Sequence, residues 1–81
     1  MSEETVQEIL DTITELQEDN TVPRNVKLKL ENIEAILKEN ADVSVRVNKA
    51  LHILEDIGED INMESYTRTQ IWNLASMLEK L

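Results

Sequence analysis

The amino-acid sequence predicts an all-α fold, an up-and-down bundle of four helices. Glycine and proline each occur once in 81 residues, while straight-chain and aliphatic helix formers are abundant. Four stretches repeat apolar residues at the i, i+3, i+4 spacing of an amphipathic helix. The connections between them are short, which favours antiparallel neighbours. At this length we expect one domain over residues 1–81, without room for a second core.

The first two predicted helices are separated by a polar break before Pro23. We expect Ser2 to cap the first helix, with Glu3 and Glu4 at the positive end of its dipole. The apolar face of this helix comprises Val6, Ile9, Leu10, Ile13 and Leu16. Pro23 suits the first turn of the second helix. The apolar face of that helix comprises Val26, Leu30, Ile33 and Leu37.

Asp42 and Gly58 mark the ends of the third predicted helix. Asp42 is an expected N-cap, and Gly58 is expected to end the helix in the left-handed conformation. The apolar face between them comprises Val43, Val47, Ala50, Leu51, Leu54 and Ile57. The fourth helix follows an acidic loop, with Asn62 or Ser65 as its cap. Its apolar face comprises Ile71, Leu74, Ala75, Leu78 and Leu81.

A weak internal repeat leaves a second architecture open. Arg24, Arg46 and Arg68 each lie near a helix start, 22 residues apart. The segment 42–46, followed by Ala50 and Leu54, resembles the second helix of a HEAT repeat. The alternative fold is therefore a HEAT-like pair of helical hairpins, although a solenoid needs about three repeats to be stable.

Three short motifs make the chain similar to a known family. It resembles a family of short, functionally uncharacterised archaeal helical proteins in Val22-Pro23-Arg24-Asn25, in Val45-Arg46 with Ala50, and in Arg68-Thr69-Gln70-Ile71-Trp72-Asn73. The likeness runs from the first helix to the C-terminus and implies a compact helical bundle without an assigned activity. In the last loop, relatives often carry prolines around an Asn-Met pair, where residues 61–64 have none.

Acidic charge is concentrated in the first helix. The formal net charge is -9, and residues 1–20 hold seven acidic residues and no Lys or Arg. A stripe opposite the apolar face comprises Glu4, Glu8, Asp11, Glu15 and Glu18. One interpretation is a solvated face that keeps the protein soluble, and the other is a docking surface for a basic partner.

Basic residues gather at the start of the second helix, at Arg24, Lys27 and Lys29. We expect them to lie beside acids such as Glu18 or Asp19, in exposed pairs that contribute little. A weaker alternative is an anion site formed by Arg24 and Lys27, because helix N-termini present free N–H groups.

Arg46 and Arg68 have local candidates for pairing. Asp42 and Glu64 lie four residues before them, in the orientation that stabilises a helix. The chain offers no basic face with stacking aromatic residues, so the sequence does not favour a nucleic-acid partner.

Trp72 is the candidate centre of a partner interface. On a helical wheel it points away from the apolar face of the fourth helix, beside Arg68 and Glu79. A wide apolar arc would place it in the core, and otherwise it anchors contact with a protein partner or a second copy. The predicted partner surface, for a partner protein or a homodimer, comprises Trp72, Arg68, Glu4, Glu8, Asp11 and Glu15.

Motifs for catalysis and metal binding are sparse. The chain has no cysteine and one histidine, His52, which lies one helical turn from Glu55. The alternative function is therefore a metal-binding protein or an enzyme using His52 and nearby carboxylates. The sequence favours a non-catalytic protein-interaction or self-associating module, with no catalytic residue, cofactor or metal site expected.

The predicted location is the cytoplasm. The acidic first residues are not followed by an apolar run, so we expect no signal peptide. No apolar stretch approaches the roughly 20 residues that cross a bilayer, and we expect no membrane partner. The absence of cysteine fits a reducing compartment.

Overall fold

The structure is a computed structural model that describes residues 3–81. These residues form four α-helices: α1 (Glu3–Glu18), α2 (Arg24–Leu37), α3 (Val43–Gly58) and α4 (Ser65–Glu79). The predicted all-α class is confirmed. The predicted N-cap of α1, Ser2, lies outside the described residues.

Each helix packs against two others, so that the four helices close into a ring. Helix α1 contacts α2 and α4, and helix α3 also contacts α2 and α4. Stacked hairpins would instead pair α1 with α3 and α2 with α4, and residues 3–81 make neither contact. The predicted four-helix bundle is confirmed, and the HEAT-like alternative does not describe this packing.

The core of the bundle is aliphatic and comes from all four helices. Its buried residues are Ile9, Ile13, Leu16, Val22, Val26, Leu30, Ile33, Leu37, Ala50, Leu54, Ile57, Met63, Ile71, Leu74 and Leu78. Thirteen of them lie on the predicted apolar faces. Val22 and Met63 come from the α1–α2 and α3–α4 connections, which lie at the same end of an up-and-down bundle. These two side chains therefore close one end of the core.

The end of α3 differs from the prediction of a left-handed glycine cap. No residue within 3–81 has a positive φ, and Gly58 is the last residue of the helix. The following residue, Glu59, stays in the right-handed region, and its N–H donates to the Asp56 carbonyl at 3.2 Å. Hydrogen bonds between residues three apart, as in a 3₁₀ turn, thus satisfy the last carbonyls of α3, so a left-handed residue is not required.

The N-caps also differ from the predictions. Asp42 occupies the N-cap position of α3, but its side chain makes no capping hydrogen bond. Glu64, rather than Asn62 or Ser65, occupies the N-cap position of α4. Pro23 precedes α2 as its N-cap residue and is not within the first turn.

A few large apolar side chains remain on the outer surface. They are Leu28, Val45, Ile61, Tyr66 and Trp72. Within residues 3–81, no helix has the length and apolar character needed to cross a membrane.

Candidate functional site

Trp72 lies on the outside of α4, beside a groove between α3 and α4. Its side chain is 70% exposed, so it does not belong to the core. The groove has a volume of about 280 Å³. This α3–α4 groove is lined by Leu51, Leu54, Glu55 and Gly58 from α3 and by Ile71, Trp72, Ala75 and Glu79 from α4.

The floor of the α3–α4 groove is apolar. Leu54 and Ile71 are core residues whose outer atoms reach the groove, and Leu51 and Ala75 are half-buried. The floor therefore belongs to the packed bundle and is held in place by it. Because Trp72 stands beside this floor, the two form a continuous apolar surface.

Carboxylates flank the groove without strong cationic partners. Glu55 pairs only with His52 within residues 3–81, at 3.9 Å between Oε2 and Nδ1, and both side chains are more than three-quarters exposed. Glu79 takes part in no ion pair among the described residues. Asp56 and Glu59, also exposed, lie near the same end of α3. The surroundings of the groove are therefore negative.

Arg68 is half-buried and holds the end of α3. Its Nη1 donates to the Gly58 carbonyl at 2.9 Å and its Nη2 to the Asp60 carbonyl at 2.6 Å. Glu64, its predicted partner, forms no ion pair within the described chain. The guanidinium of Arg68 is therefore directed toward backbone carbonyls rather than toward the groove carboxylates.

Arg46 has the same role at the opposite end of the bundle. Its Nη1 donates at 3.1 Å to the carbonyl of Leu37, the last residue of α2. The predicted ion pair with Asp42 is absent from residues 3–81. Arg46 and Arg68 each lie in the first turn of a helix and reach back to the helix before it. Arg24, the first arginine of the 22-residue series, makes no such bond within residues 3–81.

The acidic stripe of α1 is exposed as predicted. Glu4, Glu8, Asp11 and Glu15 are all exposed. Within residues 3–81, helix α1 packs against α4, which carries Trp72, but not against α3, which forms the other wall of the α3–α4 groove. Among the described residues, none of these four acids lines that groove.

The candidate anion-binding residues lie in a second groove, of about 440 Å³. Its lining comprises Gln17, Arg24, Lys27, Leu28, Glu31 and Glu34. The structure brings Arg24 and Lys27 together there, but two carboxylates share the same surface. The site has mixed charge rather than the uniformly positive lining that an anion would require.

Asp19 is held by Thr21 rather than by the basic residues of α2. The predicted ion pairs of Arg24, Lys27 and Lys29 with acids such as Glu18 or Asp19 are absent from residues 3–81. The side chain and backbone N–H of Thr21 donate to Asp19 Oδ1 at 2.7 and 2.8 Å. These hydrogen bonds lower the pKa of Asp19, and the charge of Lys27 adds a smaller effect in the same direction.

Asp60 connects the α3–α4 loop to the start of α2. Its Oδ2 accepts a hydrogen bond from Asn25 Nδ2 at 2.9 Å, and its Oδ1 accepts one from the Asn62 N–H at 2.8 Å. These bonds lower the pKa of Asp60, with smaller contributions from the charges of Lys29 and Arg68. The Asn25 contact spans 35 positions of sequence. No local pattern could have revealed it.

His52 and Glu55 remain an isolated pair on the outer surface of α3. Within residues 3–81, no group of three or more histidine, aspartate or glutamate side chains is placed to hold a metal ion. The single contact, 3.9 Å between His52 Nδ1 and Glu55 Oε2, is exposed to solvent and is an ion pair only when His52 is protonated.

The chain is similar to archaeal proteins along its whole length. The uncharacterised protein family UPF0147 matches residues 1–81. The UPF0147 protein MJ1419 of Methanocaldococcus jannaschii is 45% identical over 85 aligned positions, covering 99% of this chain and 91% of the relative. A UPF0147 protein of Archaeoglobus fulgidus is 38% identical, covering 100% and 93%. The crystal structure of MMP1188, a protein of unknown function, superimposes with a TM-score of 0.92 at 38% identity, covering 100% and 93%.

Proposed function

The chain belongs to the UPF0147 family, and we propose that it is a non-catalytic module that binds another protein through the α3–α4 groove. The observation that carries this proposal is the exposure of Trp72, the one tryptophan of the chain, beside an apolar groove. Tryptophan is among the residues most enriched at the energetic centres of protein interfaces. Buried against a partner, its ring would lose most of its contact with water.

The open shape of the groove favours side chains of a protein over a small ligand. Its volume of about 280 Å³ lies close to the lower end of the usual range of small-molecule pockets, roughly 300–1,000 Å³, so volume alone does not separate the two. Small-molecule pockets also bury most of their ligand, whereas this groove runs along the outer surface of two helices.

We place the interaction in the cytoplasm, because a chain without cysteine suits a reducing compartment.

The experiment compares Trp72→Ala with a matched control on the same helix. Tyr66 is also an exposed aromatic residue of α4, but it does not line the groove. Wild type, Trp72→Ala and Tyr66→Ala are each used to capture proteins from native-host lysate. We expect a protein that wild type and Tyr66→Ala retain and that Trp72→Ala loses.

Both variants should stay folded, so that the comparison is interpretable. Trp72 is 70% exposed, so its removal loses the burial of the remaining third of a side chain, about 1–2 kcal/mol. A domain of 81 residues has a total stability of about 4–12 kcal/mol. Unfolding of Trp72→Ala, or retention of the same proteins by all three forms, would show that Trp72 is not the anchor.

Self-association and the role of the α1 acids remain predictions. The self-associating form is tested by sedimentation of wild type and Trp72→Ala over a range of concentrations. A dimer that Trp72→Ala abolishes would make a second copy the occupant of the groove. The α1 acids are tested separately, by Glu4→Gln with Glu8→Gln, because neither residue lines the groove.

A further inference from the structure

We infer that the partner presents a short cationic amphipathic helix to the α3–α4 groove. This inference rests on the proposed function and adds the chemistry of the partner. Three features of the groove carry it: the apolar floor, the flanking carboxylates and the glycine at one end.

The apolar floor selects for large aliphatic or aromatic side chains. Leu54, Ile71 and Trp72 line one continuous surface, and contact with it removes apolar area from water. A groove between two neighbouring helices commonly accepts the apolar face of a third helix. The contacting side chains of that third helix lie at positions i, i+3, i+4 and i+7.

The charge around the floor selects for lysine or arginine on the flanks of that helix. Glu55 and Glu79 lie on opposite sides of the groove, on α3 and α4, and both are exposed. Glu79 takes part in no ion pair among the described residues, and Glu55 contacts only His52, which is charged only when protonated. Complementary charge speeds encounter and excludes acidic competitors.

The same charges disfavour a second copy of this chain. Two copies meeting groove to groove would bring Glu55 and Glu79 of each against the same carboxylates of the other. Each copy also carries a formal net charge of -9. Like charges facing each other across an interface oppose association.

Gly58 keeps one end of the groove open. Its backbone is right-handed helical, so its conformation does not require glycine. A Cβ at this position would meet no other part of the chain within 4 Å, so packing does not require glycine either. Glycine is nonetheless a poor helix former. Because Gly58 lines the groove, a side chain there would take up space that the occupant uses.

The test uses two synthetic helical peptides of about 15 residues, long enough to form a helix on binding. Both carry leucine at i, i+3, i+4 and i+7, and they differ in having either lysine or glutamate at the other positions. Neither contains tryptophan, so the fluorescence of Trp72 reports directly on the groove. We expect the lysine peptide to bind with a blue shift of Trp72 emission and the glutamate peptide not to bind.

Two pairs of substitutions separate the groove from general attraction to an acidic protein. Glu55→Gln with Glu79→Gln neutralises the groove, and Glu4→Gln with Glu8→Gln neutralises the α1 surface. Each pair removes two negative charges and changes the formal net charge from -9 to -7. We expect the groove pair to weaken lysine-peptide binding on the order of tenfold and the α1 pair by less than about twofold.

Gly58→Ala separates binding from stability. We expect this variant to melt at a temperature equal to or above that of wild type while binding the lysine peptide more weakly. A merely structural glycine would lose stability on substitution and leave binding unchanged.

Several outcomes overturn the inference. They are no binding of the lysine peptide, equal binding of the glutamate peptide, and equal losses from the two pairs of substitutions. A dimer lost in Trp72→Ala would also overturn it. The lysate capture distinguishes failure of the proposed function from failure of the cationic-helix inference. A partner lost by Trp72→Ala but retained by the Glu55→Gln, Glu79→Gln form leaves the proposed function intact and overturns only the cationic partner.

Discussion

Replacing Arg68 with methionine removes two hydrogen bonds that hold the end of α3 against α4. The Arg68 guanidinium donates to the carbonyls of Gly58 and Asp60, and it is half-buried. Methionine retains much of the apolar stem of arginine, so that packing changes little while the donors are lost. The Gly58 and Asp60 carbonyls would then need water as their hydrogen-bond donor in place of Arg68.

The size of the effect follows from the number and type of bonds. Hydrogen bonds that involve a charged group contribute about 1.5–3 kcal/mol, and the two bonds from Arg68 share one partly hydrated guanidinium. We therefore expect a loss of about 2 kcal/mol. For a domain of 81 residues this lowers the melting temperature by roughly 8–16 °C.

Thermal and urea unfolding followed by circular dichroism measure this loss. Glu64→Gln is the control, because it removes the acid that lies four residues before Arg68 and leaves the carbonyl bonds in place. We expect Glu64→Gln to stay within about 0.5 kcal/mol of wild type. A loss below about 0.5 kcal/mol for Arg68→Met, or equal losses for both variants, would refute this explanation of the helix end.

Two further predictions concern buried and loop polar groups. Thr67 is 1% exposed and its hydroxyl has no hydrogen-bond partner within the described chain, so Thr67→Val should raise stability by about 1 kcal/mol in urea unfolding. A lower unfolding midpoint would instead show that the hydroxyl is bonded. The hydrogen bond from Asn25 is the main reason that the folded pKa of Asp60 lies below its ordinary value of 3.8. The ionised Asp60 carboxylate therefore stabilises the folded protein above pH 3.8, and this stabilisation is lost as the pH falls through the folded pKa. The difference in melting temperature between wild type and Asp60→Ala should therefore be constant near neutral pH and shrink below 3.8, and a difference unchanged in acid would contradict it.

The helices and most of the core could be predicted because they depend on local pattern. Every residue of the predicted apolar face of α2 is buried, since a single period fixes which side of a helix meets the core. Val22 and Met63 were missed because they lie in connections, where no period exists. Their burial depends on which two connections meet at one end of the closed ring.

The helix ends show where local rules fail. The i, i+4 rule assigned Arg68 to Glu64, but an exposed pair of this kind contributes only a few tenths of a kcal/mol. The carbonyls of Gly58 and Asp60, ten and eight positions earlier, offer stronger charge-assisted bonds in a partly buried setting. Sequence spacing alone does not reveal this competition, because it depends on how α3 and α4 pack.

The candidate site was only partly visible in the sequence. A helical wheel places Trp72 away from the apolar face of α4, and the structure exposes it. The groove beside it was not predicted, because Leu51, Glu55 and Gly58 come from another helix. The acidic stripe of α1 was predicted as part of the same partner surface, although none of its residues lines the groove.

Site-specific photo-crosslinking tests the central claim most directly. A photoreactive residue is placed at Glu79, which lines the α3–α4 groove, and in a matched variant at Glu15, on the exposed face of α1. Both are exposed helical glutamates, so that the two substitutions disturb the fold equally little. Our proposal predicts a crosslink from position 79 to a partner segment with lysine or arginine flanking apolar residues at helical spacing, and none from position 15. Crosslinks from position 15 alone, or none from position 79, would contradict it.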